Sequence, residues 1–237
     1  MITIEFFHDV ICSFCFPMSY RMRQVQKQMP EIKIIHRSFA LAKDNEDHEQ
    51  MFGSRENAKN EILSHWVHAN QNDDLHRFNI EGMREADFLF PTSMNGLLAA
   101  KAASVVAGEA GYWTIFDALQ TGLFVDSQNI DDLTVIEAIV KKSSIDFDKW
   151  QQAFVDPATL TLVEDDFRLA NAYQLTGVPA LIINRKYLLN GAQPMDQIIQ
   201  AIQTIKEKEM PTLEVLETSD SENSSCNMED GKWVCKD

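Results

Sequence analysis

Apolar residues crowd the start of the chain in a strand-like run, Ile2-Thr3-Ile4-Glu5-Phe6-Phe7, which His8-Asp9 ends. A helix-capable stretch runs from Phe16 to Met29 and Pro30 closes it; Ile32 to Phe39 then alternates apolar and polar positions as a second strand does. These elements predict a βαβ unit with the right-handed crossover. From Lys43 to Leu175 the spacing of apolar residues becomes helical and strand-like runs disappear. Asn57 to Asn70 sets Ala58, Ile62, Trp66 and Ala69 on one face, and Thr92 or Ser93 can cap a small-residue helix that Gly108 ends. Further helices are expected over Tyr112–Phe124, Asp131–Lys142 and Asp146–Phe154, then one from Pro157 to Leu175. Asn72 to Phe90 reads as a loop with a short irregular helix.

After Thr176-Gly177-Val178-Pro179 the strand pattern returns in Ala180–Asn184 and Tyr187–Gly191, joined as a hairpin around Arg185-Lys186, and Pro194 opens a last helix through Ile198, Ile202 and Ile205. The order β-α-β, helices, β-β-α predicts an α/β fold split by an all-helical insertion. Residues 1–42 and 176–209 form the discontinuous sheet domain, 43–175 the inserted helical domain, and 210–237 an acidic tail. Within that tail ETSDSENSS, residues 217–225, holds no apolar residue and reads as a linker.

Composition narrows the function. Thirty-six acids oppose 21 bases, for a formal charge of -15, which disfavours nucleic acid and anionic membrane as partners. No basic leader followed by an apolar core opens the chain and no apolar run is long enough to span a bilayer, so a cytoplasmic location is expected. Neither GxGxxG nor GxxxxGK[ST] occurs, which leaves nucleotide binding without support.

The four cysteines fall in two pairs, Cys12 with Cys15 and Cys226 with Cys235. Cys12-Ser13-Phe14-Cys15 follows a strand and opens a helix, where free backbone N–H groups and the aligned peptide dipoles favour a thiolate on Cys12. The spacing brings Cys15 about one helical turn on, within reach of a mixed disulfide on Cys12. Half of a zinc site and inert packing are the alternatives; zinc spacing normally wants a second matching pair.

Two segments, Asp9-Val10-Ile11-Cys12-Ser13-Phe14-Cys15-Phe16 and Thr176-Gly177-Val178-Pro179-Ala180, make the chain similar to the thioredoxin superfamily. It resembles the DsbA-like branch with a helical insertion, and within it the FrnE-like or 2-hydroxychromene-2-carboxylate isomerase-like group, over residues 1–208. The resemblance implies a thioredoxin-like fold and a thiol-disulfide oxidoreductase with Cys12 attacking and Cys15 resolving. It also implies that Pro179 is the cis-proline facing the CxxC and that Val178 offers backbone hydrogen bonds to a substrate. Protein thiols or disulfides, or glutathione as co-substrate, are the implied partners, with no resident cofactor or metal. The departures are informative too. Ser13-Phe14 adds no positive charge beside Cys12, which implies a milder oxidant than the periplasmic DsbA type. Phe6 stands where many relatives carry a buried acid. The same resemblance leaves two rivals: glutathione-dependent isomerisation or transfer on a small aromatic substrate, and a non-enzymatic adaptor role.

Phe14 and Phe16 flank the sulfurs and suit an apolar substrate rim. His8 is a candidate for proton transfer, its alternative being a solvated strand-end histidine. His65, His68 and His76 are better explained as exposed histidines than as metal ligands. Counting outward from Asp230-Gly231, a type I′ turn signal, sets Cys226 directly opposite Cys235 in a hairpin, as a structural staple or a secondary redox pair.

Overall fold

The computed structural model describes residues 2–209, 225–229 and 232–236. The chain runs β1 (Thr3–His8), α1 (Cys15–Gln28), β2 (Lys33–Ser38), α2 (Asn45–Phe52), α3 (Arg55–Asn72), α4 (Ile80–Glu85) and α5 (Met94–Phe124). It continues as α6 (Leu133–Lys141), α7 (Phe147–Val155), α8 (Pro157–Ala172), β3 (Ala180–Ile183), β4 (Tyr187–Asn190), α9 (Met195–Lys208), β5 (Ser225–Glu229) and β6 (Lys232–Lys236). Two compact units result, Met1–Thr204 and Ile205–Asp237. No helix among the described residues is long and apolar enough to cross a membrane.

The first unit is built on a mixed sheet of order β2-β1-β3-β4. β1 pairs parallel with β2 and antiparallel with β3, with Phe7 opposite Ala180, so the loop before β3 reaches the edge where β1 ends. Helical residues cover both faces of β1, with Ala170 of α8 packed beside Phe7 and Phe116 of α5 stacked on His8, and Ile4, Phe6 and Phe7 are all sealed. All four strands of this sheet lie within residues 3–38 and 180–190, whereas residues 43–175 hold only helices.

Most boundaries follow local chemistry. Asp132, Asp146 and Asp156 cap α6, α7 and α8 with their carboxylates, and Pro157 occupies the first turn of α8. Gly108 breaks α5 with φ 64° and ψ −158°, a region open essentially to glycine, so the two expected helices run on as one broken rod. Three expectations need correction. Ser93 precedes α5 without capping it, because its hydroxyl is engaged elsewhere. Helix α8 ends at Ala172 and Gln174 turns left-handed, so it does not reach Leu175. Helix α2, capped by Asp44 and closed by Gly53 at φ 79°, was not anticipated as a separate element.

The large core lies among the helices, where Trp66, Phe78, Phe90 and Phe124 pack edge-to-face or tilted against one another. A buried ionic cluster joins this block to the sheet. Arg37 on β2 pairs with Glu5 on β1 and Asp166 on α8, and Lys101 on α5 also reaches Asp166.

In the second unit β5 and β6 pair antiparallel, with Cys226 opposite Cys235 and Met228 opposite Trp233. The Asp230-Gly231 turn and residues 210–224 of the acidic tail lie outside the described residues. The staple and relay roles of Cys226 and Cys235 depend on side chains that also lie outside them.

Candidate active site

Strand β1 delivers Asp9 to a tight turn in which the Cys12 N–H donates to the Asp9 carbonyl at 3.2 Å. Three residues after Cys12, α1 begins, with Phe14 at its N-cap position, no side-chain cap and no acid in its first turn. A helix start left in this state keeps donors and positive dipole end available to a neighbouring anion. That neighbour is Cys12: the Cys15 N–H points at its Sγ at 3.2 Å. Cys12 and Cys15 are joined as a disulfide with Cα atoms 5.2 Å apart.

The Val178–Pro179 peptide bond is cis, and the Val178 carbonyl oxygen lies 3.6 Å from Cys12 Sγ. The chain thus brings together residues 12 and 178, far apart in sequence, beyond the ends of the two central strands. Pro179 is anchored there by the Gly191 N–H, which donates to its carbonyl at 2.9 Å.

Cys12 is only 4% exposed, but it forms part of the wall of an apolar groove of about 250 Å³. Ser13 and Phe14, both half-buried, line it together with Ile11, Leu41, Ala42, Phe90 and Val178. The opposite wall comes from α2 and α3 through His48, Met51, Phe52, Ile62 and His65. His48 is buried and its Nε2 faces the Pro91 carbonyl oxygen at 3.1 Å. A carbonyl only accepts, so that nitrogen donates, and Nδ1 makes no hydrogen bond among the described residues.

Phe16 does not join the rim. It is 4% exposed, stacks on Phe124, meets Phe78 edge-on and carries the Arg77 guanidinium over its ring at 3.8 Å. Helix direction is the reason: one residue after Cys15, the side chain points into the helical core.

His8 is not solvated. It is sealed between Phe6 and Phe116, and its Nε2 meets His36 Nδ1 at 3.2 Å. Burial, then the nearby His36 and Lys101 charges, hold its pKa well below 6.5. Burial lowers that of His36 to about 3, with Arg23 and Lys101 adding to the effect. Among the described residues His36 is the hydrogen-bond partner of His8, and neither cysteine sulfur is. His65 lines the groove, and His76 Nδ1 lies 2.6 Å from the Asn70 carbonyl. No group of three or more metal-ligating side chains is assembled among the described residues.

Two further residues support the turn. Gln120 is fully buried on α5, and its amide donates to the carbonyls of Asp9 and Cys12 at 3.3 and 3.4 Å. Asp9 itself is fully buried, and burial lifts its carboxyl from 3.8 to about 7 against the pull of Ser93 and backbone donors. Nothing in the local sequence marks Gln120, 108 residues away from Cys12. His8 did carry a signal: the period-two alternation that buries Ile4 and Phe6 puts it on the same face of β1.

The family model described as DSBA-like thioredoxin domain matches residues 3–203. No curated protein matches the chain. Among solved structures, the chain is similar to a protein titled probable DsbA oxidoreductase from Streptomyces coelicolor, with 19% identity, TM-score 0.68 and 99% of each chain covered. The cytosolic disulfide reductase DsbM from Pseudomonas aeruginosa, also solved with GSH, is 14% identical with TM-score 0.68, covering 86% of this chain and 99% of its own. A 2-hydroxychromene-2-carboxylate isomerase is 12% identical with TM-score 0.64, covering 87% and 97%. At these identities the likeness shows a DsbA-like thioredoxin fold.

Proposed function

The chain belongs to the DSBA-like thioredoxin domain family, and from that premise we propose that it exchanges disulfides with thiol substrates through Cys12 and Cys15. The observation that carries this reading is the Cys12–Cys15 disulfide at an uncapped helix start, in the wall of an apolar groove.

A substrate thiolate attacks Cys12 Sγ in line with the Cys12–Cys15 bond. The new bond is a mixed disulfide, and Cys15 leaves as a thiolate that takes up a proton. A second substrate thiolate then attacks the substrate sulfur of the mixed disulfide and expels Cys12. Two substrate thiols thereby become one disulfide, and the protein gains the two electrons and two protons. Cys12 is the better leaving group because the Cys15 N–H and the free helix start face its sulfur. Run in reverse, the same steps reduce a substrate disulfide.

Val178 supplies backbone polar groups beside the sulfur, Pro179 fixes their direction, and Phe14 offers apolar contact. Substrates with an apolar side chain next to the reacting cysteine suit the groove. Glutathione is a fitting co-substrate, in line with the GSH-bound structure of DsbM, and we place the reaction in the cytoplasm, where DsbM is a cytosolic disulfide reductase.

Replacing Cys12 by Ser removes the sulfur that forms the mixed disulfide. The variant should lose exchange with oxidised glutathione or hydroxyethyl disulfide by more than about 10³-fold while keeping the thermal midpoint of the reduced wild type. Retention of exchange would refute the assignment. Saturable glutathione binding without disulfide turnover in the wild type would favour the isomerase reading instead.

A further inference from the structure

The Asp9 carboxylate has no salt-bridge partner among the described residues, although it is completely buried. Neutral donors surround it instead. Ile11 N–H donates to Oδ1 at 3.3 Å, while Leu41 N–H and the Ser93 hydroxyl donate to Oδ2 at 2.7 and 2.6 Å. Ser93 extends the chain of bonds: its Oγ accepts the Ala42 N–H at 3.1 Å, and its own N–H donates to the Ala42 carbonyl at 2.7 Å.

The three backbone segments gathered in this way share a destination. Ile11, Leu41 and Ala42 all line the groove that contains Cys12. Two observations mark the arrangement as more than incidental burial. Ser93 stands where its hydroxyl would cap α5, yet it makes no cap bond. Gly96, in the first turn of α5, allows that helix to close on the Cys12 turn, since a Cβ there would lie 2.6 Å from Val10 Cγ2. The close approach is what lets Ser93 reach Asp9.

We propose that Asp9, bridged by Ser93, is a positioning residue for the groove: it holds the Ile11, Leu41 and Ala42 wall and so sets how well an apolar substrate side chain seats beside Cys12. The proposal rests on the disulfide-exchange reading above. Burial already disfavours an ionised carboxylate here, and the donors that compensate it come from the groove wall and from Ser93, which holds that wall. Asp9 acts on the wall, not on the sulfur.

The test compares two disulfides, one in a peptide with leucine on both sides of the reacting cysteine and the other hydroxyethyl disulfide, which has no side chain to seat. In Ser93→Ala and Asp9→Asn the peptide KM should rise by about tenfold or more with kcat within about threefold, and kcat/KM for hydroxyethyl disulfide should stay within about threefold. Ser93→Thr, which keeps the hydroxyl, should restore the peptide KM. An equal loss with both substrates would assign the carboxylate to the sulfur chemistry and overturn the proposal, as would an unchanged peptide KM. Amide hydrogen exchange reads the clamp without turnover: Leu41 and Ala42 should exchange about tenfold faster in Ser93→Ala than in the wild type, and unchanged protection would overturn it. Wild-type protein that turned over neither disulfide would remove the exchange reading alone, and the protection measurement would still decide the clamp.

Discussion

Burial moves the Asp9 carboxyl from 3.8 to about 7, so between those values the folded chain binds more protons at this site than the unfolded chain does. Stability from this residue therefore falls as pH rises through that window, by up to about 4 kcal/mol at 1.36 kcal/mol for each unit. His8 and His36 act in the opposite sense. Their pKa values are depressed below 6.5, so their neutral forms stabilise the fold above that pH and the contribution is lost on acidification. Above about pH 6.5 the Asp9 contribution stands alone of the three. Asp9→Asn should then gain stability relative to the wild type between pH 5 and pH 8, read by urea unfolding of both proteins at each pH. A difference independent of pH would show that Asp9 titrates as an ordinary carboxyl. Asp9 was visible in the sequence only as the end of the first strand and the opening of the segment that holds Cys12 and Cys15. Its burial depends on Ser93 and Leu41, residues that no local spacing relates to it.

At the scale of elements, period and capping chemistry predicted most of the architecture: β1, α1 and β2, the return of strands at Ala180, and the helices opened by Asp132, Asp146 and Pro157 all follow from local residues. The β5–β6 register agrees with counting outward from Asp230-Gly231 in the sequence, because a hairpin signal of fixed loop length sets which residues oppose one another. Helix α2 was harder to see. Its eight residues are mostly polar and only His48 is buried, so it lacks the apolar stripe that announces a helix. Missing α2 also hid one wall of the groove, to which it contributes His48, Met51 and Phe52. Gly108 is a case where one residue decides an element. Nothing lies within 4 Å of a Cβ built there, so Gly108→Ala adds no clash and its cost is backbone strain alone. We expect about 1–3 kcal/mol of destabilisation in denaturant unfolding. A loss under about 0.5 kcal/mol, the spread ordinary for surface changes, would show that the break tolerates a side chain.

For the whole molecule, the central fact is the meeting of distant segments at the end of β1. Cys12 comes from the turn after the first strand, Val178 from the loop before the third, and Gln120 and Ser93 from the helical block. The sulfur pair was readable from its spacing at a helix start, and the partnership with Val178 from family resemblance. The contribution of the helices was not readable, because contacts such as Gln120 to Cys12 exist only once the chain has folded. With one sulfur in the groove wall and the other fully buried, the two cysteines differ in what they can do. The most direct test is to remove the resolving sulfur. In reduced Cys15→Ser protein the Cys12 thiolate attacks a leucine-flanked peptide disulfide and expels its other half as a thiol, and digestion without reduction should find one peptide in disulfide linkage on Cys12, retained because no resolving thiol stands at position 15. Absence of that adduct under conditions where the wild type turns the peptide over, or its appearance on Cys226 or Cys235 instead, would contradict the assignment of Cys12 as the sulfur that captures substrate.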